Sequence, residues 1–174
     1  MEKIEIRKYF KKRCNNFTLE NNTQVLSKKL QNLLKGLNWV EFQKAAIYHP
    51  FKSEVSLSAL KEDYPHICWL YPQKDQSFSE ESYTSPHSIK EIDLFLVPGV
   101  AFDHQCRRLG RGAGFYDKVL SQANRALKIG VSWSVQLSLE PLPEEEHDIR
   151  MDACVNEKFI LYSPHFFEKH KEVQ

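Results

Sequence analysis

Apolar positions in the first third of the chain recur with a helical period; further on they gather into short continuous runs. Residues 4–13, IEIRKYFKKR, set Ile6, Tyr9, Phe10 and Arg13 at helical spacing. Residues 22–37 place Val25, Leu26, Leu30, Leu33, Leu34 and Leu37 on one face, with Asn22 as the cap and Gly36 where the helix stops. The runs KAAIYH (44–49), HICWLY (66–71), EIDLFLVP (91–98) and ALKIGVSW (126–133) read as buried strands, and DACVN (152–156) as a last short one. Helices are predicted over 56–63, capped by Ser56, and over 116–124, while 163–174 reads as fraying helix or coil. Residues 72–90 are polar and Ser-rich and form an excursion from this pattern.

Buried strands alternating with helices predict an α/β fold with a mostly parallel central sheet flanked by helices. The length of 174 residues fits a single domain, 1–174, with a substantial core. A composition of 41% hydrophobic and 27% charged residues, with 11 Phe, excludes intrinsic disorder. The formal charge of +1 gives no global attraction to nucleic acid or to a membrane surface, so any anion site has to be a local cluster. Cys14, Cys68, Cys106 and Cys154 are far apart with no CxxC pair, a spacing that offers neither a zinc motif nor a disulfide framework. Reduced thiols and a charged start without a signal sequence predict a cytoplasmic protein.

Open α/β sheets bind ligands beyond the carboxyl ends of their strands. The segment after the run 91–98 is PGVAFDHQCRRLGRGAG, followed by the predicted helix. Glycines let backbone N–H groups approach an anion, and Arg107, Arg108 and Arg111 supply guanidinium forks suited to phosphate oxygens. Asp117 could hold Mg²⁺ on those phosphates. The same residues also fit a glycine-rich surface turn with solvated arginines. GRGAG is neither a P-loop nor G-x-G-x-x-G, so pattern alone stops at an anion.

The longer stretch DLFLVPGVAFDHQCRRLGRGAGFYDKVL (93–120) resembles the signature of the 5-formyltetrahydrofolate cyclo-ligase (5,10-methenyltetrahydrofolate synthetase) family. KIEIR (3–7), YHPFKSEVSL (48–57) and LPEEEHDIRMDACVNE (142–157) are similar, in the same order, to three further stretches of that family. The resemblance implies a single three-layer α/β domain that closes 5-formyltetrahydrofolate to 5,10-methenyltetrahydrofolate with ATP and Mg²⁺. It implies an ATP site of Lys3, Arg7, Arg108, Leu109, Gly110, Arg111, Gly112, Ala113, Gly114, Phe115 and Tyr116. Arg108, Arg111 and Lys3 would stabilise the transferring phosphate, Asp117 and Asp148 would hold the metal, and Glu54 and the backbone near His49 would contact the folate. The implied partner is a reduced folate, polyglutamylated forms included, bound by a monomer without nucleic acid or membrane.

The chain departs from the family pattern at identifiable places. Cys106 stands where glycine is usual, and if that position needs a positive φ it costs about 1–3 kcal/mol of strain. The Gly-Ile-x-Glu-Pro segment is missing, with only Ser85-Pro86 near its place, Lys118 replaces a common arginine, and CVNE stands for VVTE. Those departures keep two alternatives open: a non-catalytic folate- or nucleotide-binding member, and a phosphotransferase acting on another substrate.

Overall fold

The computed structural model describes residues 2–36, 39–73, 77–80 and 87–166. Helix α1 (Lys3–Glu20) buries Ile6, Phe10 and Cys14, spaced four apart, along one stripe. Tyr9 lies off that stripe, 53% exposed, where it meets the edge of Phe10 and the Arg13 guanidinium. Helix α2 (Thr23–Leu34) starts as predicted, with Asn22 Oδ1 accepting the backbone N–H groups of Gln24 and Val25 at 3.1 and 3.3 Å. It buries Leu30 and Leu34, whereas Val25 faces solvent. Leu37 and the side chains of Leu26 and Leu33 lie outside the described residues.

The predicted strands appear as β1 (Lys44–Ala46), β2 (Cys68–Pro72), β4 (Leu94–Pro98), β7 (Leu127–Val131) and β9 (Ala153–Val155). Together they form a parallel sheet in the order β2-β1-β4-β7-β9. Two antiparallel edge strands complete it: β3 (Phe78–Ser79) on β2 and β10 (Ile160–Tyr162) on β9. Asp93 locks the central register, its Oδ2 accepting the backbone N–H groups of Gln43 and Lys44, both at 2.9 Å. Alternate residues of β4 enter opposite cores. Leu94 and Leu96 pack towards Leu30, Leu34 and Leu60, while Phe95 and Val97 pack towards Val119 and Leu120. Helices thus cover both faces: α1, α2 and α3 (Ala59–Asp63) one of them, α4 (Phe115–Leu120) the other.

Several predicted boundaries need correction. The helix expected over 56–63 is the five-residue α3, whose N-cap position is Ser58 with no side-chain cap bond, not Ser56. The helix expected over 116–124 begins one residue earlier and ends at Leu120. Ser85-Pro86 and residues 167–174 of the tail lie outside the described residues.

The largest difference lies in the segment after β4, read from sequence as a loop. It folds into β5 (Ala101–Asp103) and β6 (Arg108–Leu109), an antiparallel hairpin that joins β8 (Leu137–Ser138) in a second, three-stranded sheet. The hairpin turn is closed by side-chain chemistry. Asp103, 2% exposed, accepts the backbone N–H groups of Gln105, Arg107 and Leu142 at 2.9, 3.0 and 2.9 Å, and Nη1 of Arg107 at 3.2 Å. Cys106 occupies the left-handed position of the turn, φ 57°, fully buried. A three-residue hairpin loop calls for such a residue at its end, which is why glycine is the usual occupant.

Candidate functional site

The sheet reverses its direction of growth between β1 and β4, the topological switch point at which open α/β sheets collect ligands. Tyr48 and His49 leave β1 on one side of that point, and Pro98 and Gly99 end β4 on the other. Between them opens a cavity of about 540 Å³. Its polar lining comes from four separate stretches, Lys3 and Arg7; Tyr48, His49 and Glu54; Arg108 through Asp117; and Glu145, His147 and Asp148, with Pro72, Pro98 and Gly99 completing the wall. Every residue that the family resemblance assigned to catalysis, nucleotide, substrate or metal lines it. Arg107, read from the sequence as a third phosphate fork, does not: its guanidinium is taken by Asp103 at 3.2 Å and Glu144 at 3.0 Å.

The side chains are positioned by packing of their elements. Lys3 and Arg7 are four apart on α1, beside the buried stripe, so seating Ile6 and Phe10 against Val100, Ala101 and Leu109 turns both cations to the cavity. Arg7 Nε donates to the carbonyl of Gly110 at 2.9 Å and ties the helix to the loop. Arg108, on β6, is almost fully buried; its Nη2 donates to Asp117 Oδ1 at 2.9 Å and its guanidinium lies 5.6 Å from the Tyr116 ring centroid. Arg108 Nε is buried without an acceptor among the described residues. The guanidinium lies so close beneath the loop that a Cβ on Gly110 would meet Nη1 at 2.6 Å. Gly112 and Gly114 take φ of 107° and 66°, which the loop needs to present its backbone to the cavity.

Most charges in the cavity are paired. Lys3 Nζ reaches Asp148 Oδ2 at 2.8 Å and Glu145 Oε1 at 2.9 Å. Burial works against both ions of this cluster, yet the mutual hydrogen bonds outweigh it: the Lys3 pKa is raised and that of Asp148 lowered. Arg111 Nη2 meets Glu54 Oε1 at 2.5 Å and stacks on the half-exposed Phe51, 4.3 Å from its centroid. Glu54 is held in turn by the Phe51 N–H at 3.0 Å. His49 stacks on Tyr71 at 4.3 Å and 16°, and burial pushes the phenols of Tyr48 and Tyr116 up. Asp152 stands outside the cavity, its Oδ2 accepting the N–H of Lys128 at 2.8 Å.

The arrangement differs from the sequence reading in two respects. Helix α4 has six residues rather than the nine expected, and Gly114 at its N-cap position offers no side-chain cap, so the anion-favouring groups are the arginines and loop N–H groups. Tyr48, Glu145 and Phe51 were not singled out. Tyr48 and Glu145 look like ordinary strand-end and loop residues, and Phe51 gains its position by cradling Arg111.

Fold and site together define a three-layer α/β protein with a charged, glycine-lined cavity at the switch point of its parallel sheet. A family model for the 5-formyltetrahydrofolate cyclo-ligase family matches residues 61–157. The chain belongs to that family. It is 32% identical over 121 residues to the 5-formyltetrahydrofolate cyclo-ligase of Saccharomyces cerevisiae, a match covering 59% of this chain and 57% of that protein. The chain thus spans little more than half the length of that curated relative. Two solved structures are similar over nearly the whole chain, each with 30% identity. The 5,10-methenyltetrahydrofolate synthetase of Aquifex aeolicus superposes with a TM-score of 0.78 over 94% of both chains. That of Mycoplasma pneumoniae gives 0.79 over 91% of this chain and all of the other.

Proposed function

We propose that this chain catalyses ATP-driven closure of 5-formyltetrahydrofolate to 5,10-methenyltetrahydrofolate, releasing ADP and phosphate. The observation that carries the reading is the convergence of four distant basic and acidic segments on one cavity of about 540 Å³, large enough for small substrates. The formyl oxygen is amide-like and a poor leaving group. It attacks the γ-phosphorus of ATP, the bond to ADP breaks, and the folate N10 attacks the activated formyl carbon. Phosphate departs with the former formyl oxygen, and N10 gives up its proton. Such chemistry asks for alignment and charge neutralisation rather than a protein nucleophile.

The residues fit those demands. Arg108 Nε is a desolvated donor without an acceptor among the described residues, suited to a phosphate oxygen, and Arg111 and Lys3 bring further positive charge to the same cavity. Arg7 and the loop from Leu109 to Tyr116 would cradle the nucleotide, and Glu54 with the backbone at His49 would orient the folate. Asp117 and Asp148 are hard oxygen donors on the cavity wall, a set that fits Mg²⁺. When bound there, Mg²⁺ supplies neutralisation of phosphate charge. The reading includes a monomer that accepts polyglutamylated folates, in a cytoplasmic setting where Cys14, Cys68, Cys106 and Cys154 remain free thiols. Among the described residues no helix is long and apolar enough to cross a membrane.

The test is direct. The protein is incubated with Mg-ATP and 5-formyltetrahydrofolate, and methenyl absorbance and ADP are followed together. Equal appearance of both is expected. ADP without methenyl product, or neither, overturns the reading.

A further inference from the structure

A second constellation of metal-ligating side chains lies at the edge of the main sheet, outside the cavity. Cys68 opens β2, Glu80 follows β3, and His87 returns to the sheet through an antiparallel bridge to Phe78. The Cys68 Sγ, a carboxylate oxygen of Glu80 and an imidazole nitrogen of His87 all lie within 4.8 Å of one another. His87 Nε2 itself is 3.9 Å from Glu80 Oε1. The backbone that carries them is fixed: β3 pairs with Tyr71 and Pro72, the His87 N–H donates to Phe78 O at 2.7 Å, and Phe78 is fully buried. Cys68 and His87 are half-buried and Glu80 is exposed, so an ion could enter from solvent.

We infer that Cys68, Glu80 and His87 bind one divalent transition-metal ion of the zinc class. A thiolate, an imidazole and a carboxylate are the donor types zinc takes, and a water completes the tetrahedron. Bond lengths of about 2.0–2.3 Å put ligand atoms around a tetrahedral zinc about 3.5 Å apart. Separations within 4.8 Å therefore close by side-chain rotation alone. Binding costs the Cys68 thiol one proton, which passes to solvent. The ion ties the two-residue strand β3 and the chain returning at His87 to the start of β2, where few ladder bonds hold them. Asp117 and Asp148 offer oxygen alone, so the two sites differ in metal preference.

Cobalt titration of the purified, reduced chain tests the assignment. One equivalent of Co²⁺ is expected to give a thiolate charge-transfer band that Zn²⁺ displaces and excess Mg²⁺ leaves unchanged. Cys68→Ser is expected to abolish the band, and His87→Ala to weaken Co²⁺ affinity on the order of 100-fold. A measurement on the unaltered chain stands beside these: Zn²⁺ should slow alkylation of Cys68, read by peptide mass, more than that of Cys14. Absence of the charge-transfer band, its persistence in Cys68→Ser, or unchanged Cys68 alkylation with zinc overturns the proposal.

Discussion

Replacing Gly130 with alanine is expected to loosen the joint between the two sheets. Gly130 lies in β7 with Val97 of β4 on one side and Cys154 of β9 on the other. A Cβ there would stand 2.3 Å from Cε1 of Phe102 and 3.0 Å from Cys154 Sγ. The Phe102 ring has no retreat: it is 1% exposed, and its far edge lies where a Cβ on Gly99 would meet it at 2.7 Å. Overpacking of this kind costs about 1–3 kcal/mol, and a strand paired on both sides puts this case at the upper end. Alanine gives back about 0.4–1 kcal/mol by restricting the unfolded chain. The net loss is about 2 kcal/mol, which for a domain of this size lowers Tm by about 4–8 °C.

Urea unfolding, followed through the fluorescence of the buried Trp39, Trp69 and Trp133, measures the loss. Phe102→Leu in the same background shrinks the clashing ring, so the double variant should be no less stable than Phe102→Leu alone, with a coupling of at least about 1 kcal/mol. Because Phe102 belongs to the hairpin that carries Arg108, Gly130→Ala should also raise the KM for ATP. A Gly130→Ala protein within about 0.5 kcal/mol of the parent, or strict additivity with Phe102→Leu, would refute the idea that this ring seats the small sheet on the large one.

Other substitutions probe the site and its supports. Arg108→Lys keeps the charge but loses the fork and Nε, and should lower kcat by about 10²–10³-fold with little change in melting temperature. Arg108→Ala should add a stability loss of about 3 kcal/mol, because it strands the mostly buried Asp117 carboxylate; calorimetry separates the two. Lys3→Met removes the partner that holds Asp148 down and leaves the burial that pushes it up, so the acid limb of the pH–rate profile should move to higher pH. Glu144 is held at about 2, chiefly by hydrogen bonding to Arg150 against an opposing burial effect, with Arg107 adding to it. Its depressed folded pKa means that its stabilisation is complete above the unfolded value of 4.5 and disappears as pH falls through about 2. Glu144→Gln should therefore cost about 1–2 kcal/mol at neutral pH, after allowance for solvent screening, and flatten the stability slope across that window in acid titrations. Cys106→Gly relieves the strain of φ 57° but empties a fully buried position, and the balance should be a loss of about 1 kcal/mol in urea unfolding.

What the sequence conveyed and what it concealed follow from how each element is stabilised. The five parallel strands were legible because both their faces are buried, which makes continuous apolar runs such as Leu94 through Val97. Asn22 was legible because a cap acts on residues two and three places away. The hairpin 101–109 was not, because its strands have three and two residues and its turn is specified by long-range chemistry. The Asp103 carboxylate reaches Leu142, and a cysteine takes the glycine position where the protein interior encloses its thiol. The site divides in the same way. Arginines interleaved with glycines announce an anion loop locally, but Lys3, Arg7 and Glu54 are ordinary surface charges until α1 docks on the small sheet and the 51–54 turn meets Arg111. Their place in the cavity was read only through resemblance to a family. The metal-ligand cluster lay beyond both routes: Cys68, Glu80 and His87 follow no ligand spacing, and only the pairing of β2 with β3 and the bridge from Phe78 bring them together. A donor set assembled by sheet register is invisible to any motif, which is why its chemistry has to be sought in the folded chain.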